Sequence, residues 1–194
     1  MPDVHDLLLA SGPVAAARRR LVERASGVTL SVGAGRDIPG ASSVVSWEDS
    51  AVLDDGSFDT IVCVTALCRI GDQVAFATGL RRLLTPGGTL LFLEHVRGPH
   101  PVSRFQRLYS PGWSAIAGGC RLDRDTVGAI RQGGFVVCDL ERLAPLGRAS
   151  AGTVVAARAI ARLPVEPRPA IDTAATRSQP AASTSSRPVP QEDP

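Results

Sequence analysis

The chain has 194 residues, of which 44% are hydrophobic and 21% are charged, and its net charge is +2. These values are typical of one globular domain with its own core, and they exclude two domains of ordinary size. Acidic and basic residues are nearly balanced, so we expect no nucleic-acid partner.

The four cysteines, Cys63, Cys68, Cys120 and Cys138, show no C-x-x-C spacing. Most of them lie in apolar runs, where cysteine behaves as a small buried hydrophobe. We therefore expect a reduced, cytoplasmic protein with no disulfide framework and no metal site. The longest strongly apolar run, Ile61 to Cys68, is far shorter than the ~20 residues of a transmembrane helix. The N-terminus also lacks the pattern of a signal peptide.

The first predicted element is a helix from Pro13 to Ala25, in an N-terminal segment of residues 1–26. Proline is favoured in a first helical turn, and Gly27 can end the helix. Arg18, Arg19 and Arg20 cover much of the face opposite the apolar stripe. Two interpretations of this basic face stay open: contact with solvent, or peripheral contact with a membrane surface.

An α/β domain is predicted over residues 27–163. Its first strand covers Val28 to Val32 and leads directly into Gly33-Ala34-Gly35, where glycine permits a sharp turn. A second β run follows at Val44 to Trp47. Phe58 to Thr65 is then a continuous β-rich run, typical of a buried parallel strand.

The second half of this domain alternates helices and strands. Asp72 is predicted to cap a helix that ends at the turn Thr85-Pro86-Gly87-Gly88, and Thr89 to Leu93 is the next buried strand. Asp123 is predicted to cap a later helix. Two strands follow it: Phe135 to Leu140 and Thr153 to Ala157. This alternation predicts an α/β fold with a Rossmann-like, doubly wound, mostly parallel sheet.

Residues 164–194 form the last predicted segment. They contain no aromatic residue and are rich in proline, serine and alanine. Such a segment buries too little apolar surface to offset its ordering entropy, so we expect a disordered tail.

Two segments of the domain carry specific motifs. Asp54 to Val62 contains D-G-S-F-D, and Leu80 to Phe92 contains P-G-G. In this order they resemble the middle of class I S-adenosylmethionine-dependent methyltransferases, and most of all the type 11 methyltransferases. Phe92 to Val96 and Gly118-Gly119-Cys120 resemble the thiol-methyltransferase-like branch in particular. The resemblance implies an S-adenosylmethionine-dependent enzyme with a small-molecule methyl acceptor.

The resemblance also implies three groups of cofactor-binding residues. They are Gly33, Ala34, Gly35 and Asp37 after the first strand, Glu48 and Asp49 before the Asp54 turn, and Thr65 and Ala66 after the Phe58 run. The first group would lie near the methionine and ribose portions, the second near the adenine, and the third near the sulfonium.

Glu94 and His95, at the exit of the Thr89 strand, are the candidate general bases. Methyl transfer from a sulfonium depends mainly on alignment, so a soft nucleophile needs no dedicated base. For His95 a structural role, as a hydrogen-bond partner of a neighbouring loop, stays open. For Cys120 two roles stay open: lining the substrate pocket, or simple packing.

An aromatic-rich segment lies where this fold commonly carries a substrate lid. Its apolar residues are Phe105, Leu108, Tyr109, Trp113 and Ile116, and Pro111-Gly112 is predicted to break it. Such residues indicate an apolar substrate or a lipid surface, with ordinary packing as the alternative.

The cofactor half is shorter than the family's. Only 23 positions separate Gly35 from Phe58, whereas one βαβ unit takes about 30 residues. We therefore expect a sheet abbreviated in the region of its second and third strands. The exposed edge predicts a homodimer or a partner beside the first strand. Two function classes stay open: a compact methyltransferase, or a non-catalytic remnant that serves as a binding or interaction module.

Overall fold

The computed structural model describes residues 12–33, 41, 43–45, 52–143 and 153–161. These ranges all lie in one compact unit, residues 1–163. The predicted tail lies outside the described residues, and so does the glycine turn beyond Gly33.

Six strands of the described residues form one sheet, in the order β2-β1-β3-β4-β6-β5. The strands are β1 (Thr29–Gly33), β2 (Ser43–Val45), β3 (Phe58–Val64), β4 (Leu84–Val96), β5 (Phe135–Leu143) and β6 (Thr153–Ala161). The helices are α1 (Gly12–Val22), α2 (Gln73–Leu83), α3 (Val102–Ile116) and α4 (Thr126–Gln132), and a 3-10 turn covers Leu67–Arg69.

Strands β2, β1, β3 and β4 are mutually parallel, whereas β6 is antiparallel to both β4 and β5. Parallel neighbours require a crossover, and α2 supplies the one between β3 and β4. The predicted Rossmann-like α/β class is therefore confirmed, with an antiparallel pair at one end of the sheet.

The central strands are buried on both faces. In β3, Ile61 and Cys63 point into the cluster that includes α2 and α4, while Val62 and Val64 point into the cluster that includes α1. None of the four is more than 1% exposed. Burying an apolar side chain of this size contributes about 1.5–3 kcal/mol relative to leaving it exposed. The continuous apolar run therefore marks the centre of the sheet.

Helix α1 covers one face of the sheet through Val14, Ala17 and Leu21. On its basic side, Arg20 forms an ion pair of 3.0 Å with Glu141 of β5. At least one arginine of the basic face, whose contact with solvent or a membrane surface was left open, thus has a partner within the chain.

Strand β2 lies on the outer side of β1. The pairing runs from Leu30 opposite Ser43 to Val32 opposite Val45, so the predicted second β run exists but begins at Ser43. The prediction of a partner beside the first strand needs a correction, because β2 already pairs with that edge. Among the described strands, the outer edge on this side belongs to β2.

Helix α2 follows the prediction at both of its ends. The Asp72 carboxylate accepts a 2.9 Å hydrogen bond from the N–H of Ala75, and the helix ends at Leu83. The predicted turn Thr85-Pro86-Gly87-Gly88 does not separate α2 from the next strand, because β4 already begins at Leu84. Its pairing with β3 shifts register between Phe58 and Thr60, and this shift accommodates the turn residues within the strand.

Helix α3 corrects the prediction of a break, because it runs through Pro111 without interruption. Two buried polar residues in the part of the helix before Pro111 anchor it to the rest of the domain. Gln106 accepts from the N–H of Gly98 at 2.6 Å, and the Ser110 hydroxyl donates to Asp123 at 2.8 Å. These tertiary contacts outweigh the one helical hydrogen bond that proline removes. No described helix is both long and apolar enough to cross a membrane.

Helix α4 begins two residues later than predicted. Its N-cap is Asp125, whose carboxylate accepts from the N–H of Gly128 at 3.0 Å. Asp123 was the predicted cap, but its carboxylate instead accepts the Ser110 hydroxyl bond. Both aspartates suit an N-cap, and only the position of α3 decides between them.

Candidate functional site

The carboxyl ends of β1, β3 and β4 meet at one edge of the sheet. A Cβ atom placed on Gly33 would lie 2.4 Å from the carbonyl oxygen of Val64 and 2.9 Å from the Cβ of Ala66. Oε1 of Glu94 accepts a 2.8 Å hydrogen bond from the N–H of Ala66. The structure thus brings Gly33, Thr65, Ala66 and Glu94 together, with His95 next in the chain.

The remaining predicted cofactor residues fall outside the described ranges. They are Ala34, Gly35, Asp37, Glu48 and Asp49. The described part of the site therefore consists of the residues at the carboxyl ends of β1, β3 and β4.

Gly33 has a φ of +106°, a conformation that residues with a side chain rarely adopt. The atoms that exclude a side chain there belong to the end of β3. Gly33 is thus required by the close approach of two strand ends, whatever binds beyond them.

Thr65, the residue after β3, is strained and buried. Its φ is +48°, and a β-branched residue in this region of backbone conformation is an outlier. Its side chain is 1% exposed, and the hydroxyl has no hydrogen-bond partner among the described residues. Strained residues of this kind cluster at ligand sites, and a buried polar atom without a partner calls for an explanation. These two features make Thr65 a candidate ligand-binding residue at this edge.

Glu94 fixes the chain that follows Thr65. Its carboxylate is fully buried, and it accepts hydrogen bonds from the N–H groups of Ala66 at 2.8 Å, Leu67 at 3.0 Å and Cys68 at 3.1 Å. Burial raises the pKa of Glu94 to about 7, while these backbone hydrogen bonds limit the increase. A carboxylate that accepts three backbone bonds favours a positioning role over that of general base.

His95 packs against two other elements. Its Nδ1 lies 3.4 Å from Sγ of Cys120, in the loop after α3, and its ring meets the edge of the Trp113 ring with centroids 6.5 Å apart. The Thr126 hydroxyl donates to the carbonyl oxygen of His95 at 3.1 Å. His95 is only 4% exposed. Its contacts therefore include a neighbouring loop, as in the structural alternative given above.

Cys68 lies beside His95 and Cys120, and the three form a cluster that the sequence did not predict. Its thiol donates to the carbonyl oxygen of Thr65 at 3.6 Å, and the neighbouring Cys120 thiol together with burial raises the pKa of Cys68. The donor atoms of Cys68, His95 and Cys120 all lie within 4.8 Å of one another. Their wide separation in sequence hides the cluster. One signal was available: Cys68 and His95 each follow the end of a predicted central strand.

The predicted lid segment is the helix α3. Its large exposed apolar residues are Phe105, Leu108, Tyr109 and Ile116. Trp113 instead turns inward and packs on the small cluster that contains Cys68 and Cys120. Helix α3 thus covers the cluster with one face and leaves an apolar face outside.

Comparison with known proteins agrees with the motifs. A family model described as "Methyltransferase domain" matches residues 9–92. Human thiol S-methyltransferase TMT1B is 36% identical over 104 residues, which are 53% of this chain and 43% of the relative. Human thiol S-methyltransferase TMT1A is 31% identical over 106 residues, with the same shares. The chain spans about half the length of the curated relatives it matches.

A crystal structure of an S-adenosylmethionine-dependent methyltransferase from Thermotoga maritima superposes with a TM-score of 0.55. The match covers 80% of this chain and 92% of that one, at 17% identity, so it shows the fold alone. The family model, the human relatives and the shared fold together support a class I S-adenosylmethionine-dependent methyltransferase. The resemblance seen in its motifs is confirmed.

The candidate site lies where α/β folds of this kind bind their ligands. In an open α/β sheet a ligand lies beyond the carboxyl ends of the strands. Gly33, Thr65 and Ala66 occupy that edge, and Glu94 holds its loop in place.

Proposed function

We propose that this chain binds S-adenosylmethionine at the carboxyl edge of β1 and β3 and transfers its methyl group to the sulfur of a small, apolar thiol. The family match supports the methyl donor. The thiol acceptor is taken from the names of the human relatives, TMT1B and TMT1A. The same relatives favour an enzyme over the non-catalytic module left open by the sequence.

The single observation that carries the proposal is the state of Thr65. A strained backbone and a buried, unpartnered hydroxyl both cost free energy, and they occur together beside Gly33. A cofactor that accepts a hydrogen bond from this hydroxyl would offset part of that cost. A sulfonium accepts no hydrogen bond, so the accepting atom would be an oxygen or nitrogen of the donor close to it, in keeping with the place that the sequence implied for Thr65 and Ala66.

The other predicted cofactor residues complete the proposal. Gly35 and Ala34 would continue the turn that Gly33 begins. Asp37, or Glu48 with Asp49, would supply the carboxylate for the ribose or adenine side of the donor. Charged hydrogen bonds of this type contribute about 1.5–3 kcal/mol each.

The reaction itself asks mainly for alignment. The acceptor sulfur forms a bond to the methyl carbon, while the bond from that carbon to the sulfonium breaks and S-adenosylhomocysteine leaves. Holding the two reactants in line accounts for much of the acceleration of such a transfer. Glu94 contributes by fixing the loop of Thr65 and Ala66 in one position.

The first test is binding of S-adenosylhomocysteine to the purified chain, followed by calorimetry. We then expect methyl transfer to thiophenol, with phenol as the matched acceptor that lacks sulfur. No binding at millimolar S-adenosylhomocysteine would contradict the proposal. Equal methylation of phenol would contradict the thiol acceptor.

Two matched variants locate the site. Thr65→Ala removes the buried hydroxyl and should weaken S-adenosylhomocysteine binding about 2- to 10-fold, the range of one neutral hydrogen bond. Thr78→Ala removes an exposed hydroxyl that donates to Val74 within α2, and it should leave affinity unchanged. Equal affinities in the two variants would place the cofactor elsewhere.

Two narrower expectations belong to the same proposal. Cys63, Cys68 and Cys120 are buried and form no disulfide, which supports work in a reducing compartment such as the cytoplasm. A homodimer or partner would now pair with β2 rather than β1, since β2 is the outer described strand on that side. Light scattering tests the dimer, and a strict monomer at all concentrations would contradict it.

A further inference from the structure

Three side chains of metal-binding type meet in the interior, close in sequence to the residues of the proposed cofactor edge: Cys68 is two residues after Ala66, and His95 follows Glu94. Sγ of Cys120 lies 3.4 Å from Nδ1 of His95, and the donor atoms of Cys68, His95 and Cys120 all lie within 4.8 Å of one another. Cys68 and Cys120 are fully buried. The three come from the 3-10 turn after β3, the end of β4 and the loop after α3, so the fold, rather than a local motif, assembles them.

The spacing is close to that of a tetrahedral zinc site. With a Zn–S bond of about 2.3 Å and a Zn–N bond of about 2.0 Å, the sulfur and nitrogen of two ligands stand about 3.5 Å apart. The separation of Cys120 and His95 already matches this distance. The other two separations do not exceed 4.8 Å, so each has to contract by about 1.3 Å at most to match the same geometry.

The backbone at two of the three ligands, Cys68 and His95, is fixed by hydrogen bonds. Oε2 of Glu94 accepts from the N–H of Cys68 at 3.1 Å, and the N–H of Arg121 donates to the carbonyl oxygen of Cys68 at 3.0 Å. The Thr126 hydroxyl fixes the backbone of His95. These hydrogen bonds fix the backbone from which the two ligand side chains extend.

We propose that Cys68, His95 and Cys120 bind one thiophilic divalent cation, Zn²⁺, and that its fourth position takes the sulfur of the thiol substrate. Two thiolates and an imidazole are a donor set that zinc prefers. Three protein ligands with one position left for substrate is the arrangement of catalytic zinc sites. The substrate half of this inference rests on the proposed function. The proposed zinc site replaces the expectation, based on cysteine spacing alone, that the chain has no metal site.

The chemistry of the step is balanced without a further reactant. Cys68 and Cys120 release their thiol protons to solvent when the cation binds, and the thiol substrate releases its own as its sulfur binds the cation, because a coordinated thiol is deprotonated. That sulfur then attacks the methyl carbon of S-adenosylmethionine. The new S–C bond forms as the bond to the sulfonium breaks, and the products are a thioether and S-adenosylhomocysteine.

The cation is tested first, without any methyl transfer. Full-length, reduced, metal-free protein is titrated with Co²⁺ as a spectroscopic substitute for Zn²⁺. We expect one equivalent to bind, with thiolate-to-cobalt charge-transfer bands in the near ultraviolet and the strong visible bands of tetrahedral cobalt. Failure of the reduced wild-type protein to bind Co²⁺ and Zn²⁺ would overturn the site, as would a Cys68–Cys120 disulfide whose reduction does not restore binding.

Variants then assign the ligands. Cys120→Ser and Cys68→Ser should each remove a large part of the charge-transfer intensity and weaken binding at least tenfold. Cys138→Ser is the matched control, because Cys138 lies in β5 outside the cluster, and it should bind as the wild type does. Unchanged bands in Cys120→Ser, with circular dichroism equal to that of the wild type, would overturn the assignment. A variant that does not fold leaves the wild-type titration as the deciding measurement.

The fourth position is tested by adding thiophenol to the cobalt form. A shift and gain of charge-transfer intensity with thiophenol, but not with phenol, is expected. An unchanged spectrum would overturn the substrate half. Calorimetry with S-adenosylhomocysteine separates this inference from the proposed function. A wild-type protein that does not bind S-adenosylhomocysteine contradicts the proposed function. The cobalt titration depends on the three ligands alone.

Discussion

The Glu94 carboxylate holds the backbone of Ala66 through a 2.8 Å hydrogen bond to its N–H group. Glu94 is near the end of β4, and Ala66 is the second residue after β3. A residue near the end of β4 thus fixes the path of the chain where it leaves β3. Since Thr65 lies between β3 and Ala66, this bond also helps to hold the strained conformation on which the proposed site depends.

The first prediction follows from this bond. Glu94→Ala removes the acceptor for three buried N–H groups, and each donor left without a partner costs about 1–3 kcal/mol. We expect a loss of several kcal/mol in the free energy of unfolding, measured by urea titration. Glu141→Ala is the control, because its ion pair with Arg20 is about half exposed, and it should cost less than about 1 kcal/mol. Equal losses in the two variants would show that Glu94 does not fix the loop.

The second prediction concerns Gly33. Gly33→Ala forces a side chain into a φ of +106° and places its Cβ 2.4 Å from the carbonyl oxygen of Val64. Backbone strain alone costs about 1–3 kcal/mol. Gly79→Ala is the matched control, since nothing lies within 4 Å of its added Cβ in helix α2. That variant should gain about 0.5–1 kcal/mol.

This pair of variants also decides between two reasons for the glycine. The motif implied that Gly33 serves close approach of the cofactor, in which case a side chain would harm binding more than the fold. The structure instead places the conflict within the protein, so we expect the melting temperature to fall first. A stable Gly33→Ala variant that has lost only S-adenosylhomocysteine binding would reverse this conclusion.

Much of the fold could be predicted because its signals are local. The apolar run of β3 needs to be buried on both faces, which only a central strand allows. Asp72 caps α2 through its own neighbour Ala75, three residues away. Elements of this kind depend on residues that are close in sequence, and the chain order alone reveals them.

What could not be predicted depends on contacts between distant segments. Asp123 and Asp125 are equal candidates for the cap of α4 until Ser110 of α3 engages the first of them. The cluster of Cys68, His95 and Cys120 arises only when three strand and helix ends converge. Spacing carries no trace of such a convergence, which is why the cysteines indicated no site.

The third prediction is a pH dependence at the surface. Asp139 accepts from Arg24 at 2.7 Å and from Arg158 at 3.1 Å, and these two bonds lower the pKa of its carboxyl below the ordinary value of 3.8. A lowered pKa in the folded state means that the contribution is present above the ordinary value and is lost as the pH falls through the lowered one.

Asp139→Asn removes the charge and keeps a side chain that tolerates the positive φ of this position. We expect a small decrease in melting temperature at neutral pH, which shrinks with added salt and disappears in strong acid. Asp54→Asn, an exposed position in the turn before β3, should show no such pattern. A decrease that persists in acid would mean that Asp139 acts through something other than its charge.

The last prediction concerns how α3 is held over His95. Gln106 is fully buried, accepts from the N–H of Gly98 at 2.6 Å and donates to the carbonyl oxygen of Val96 at 3.0 Å. Gln106→Leu leaves both backbone groups unpaired, at about 1–3 kcal/mol for each one that stays buried. The helix should then loosen and expose Trp113. In a Trp47→Phe background, which leaves Trp113 as the sole tryptophan, we expect its fluorescence to shift to longer wavelength. Gln132→Leu, exposed at the end of α4, is the control and should leave the emission unchanged. An unshifted spectrum in Gln106→Leu, with stability equal to that control, would show that packing rather than Gln106 seats the helix.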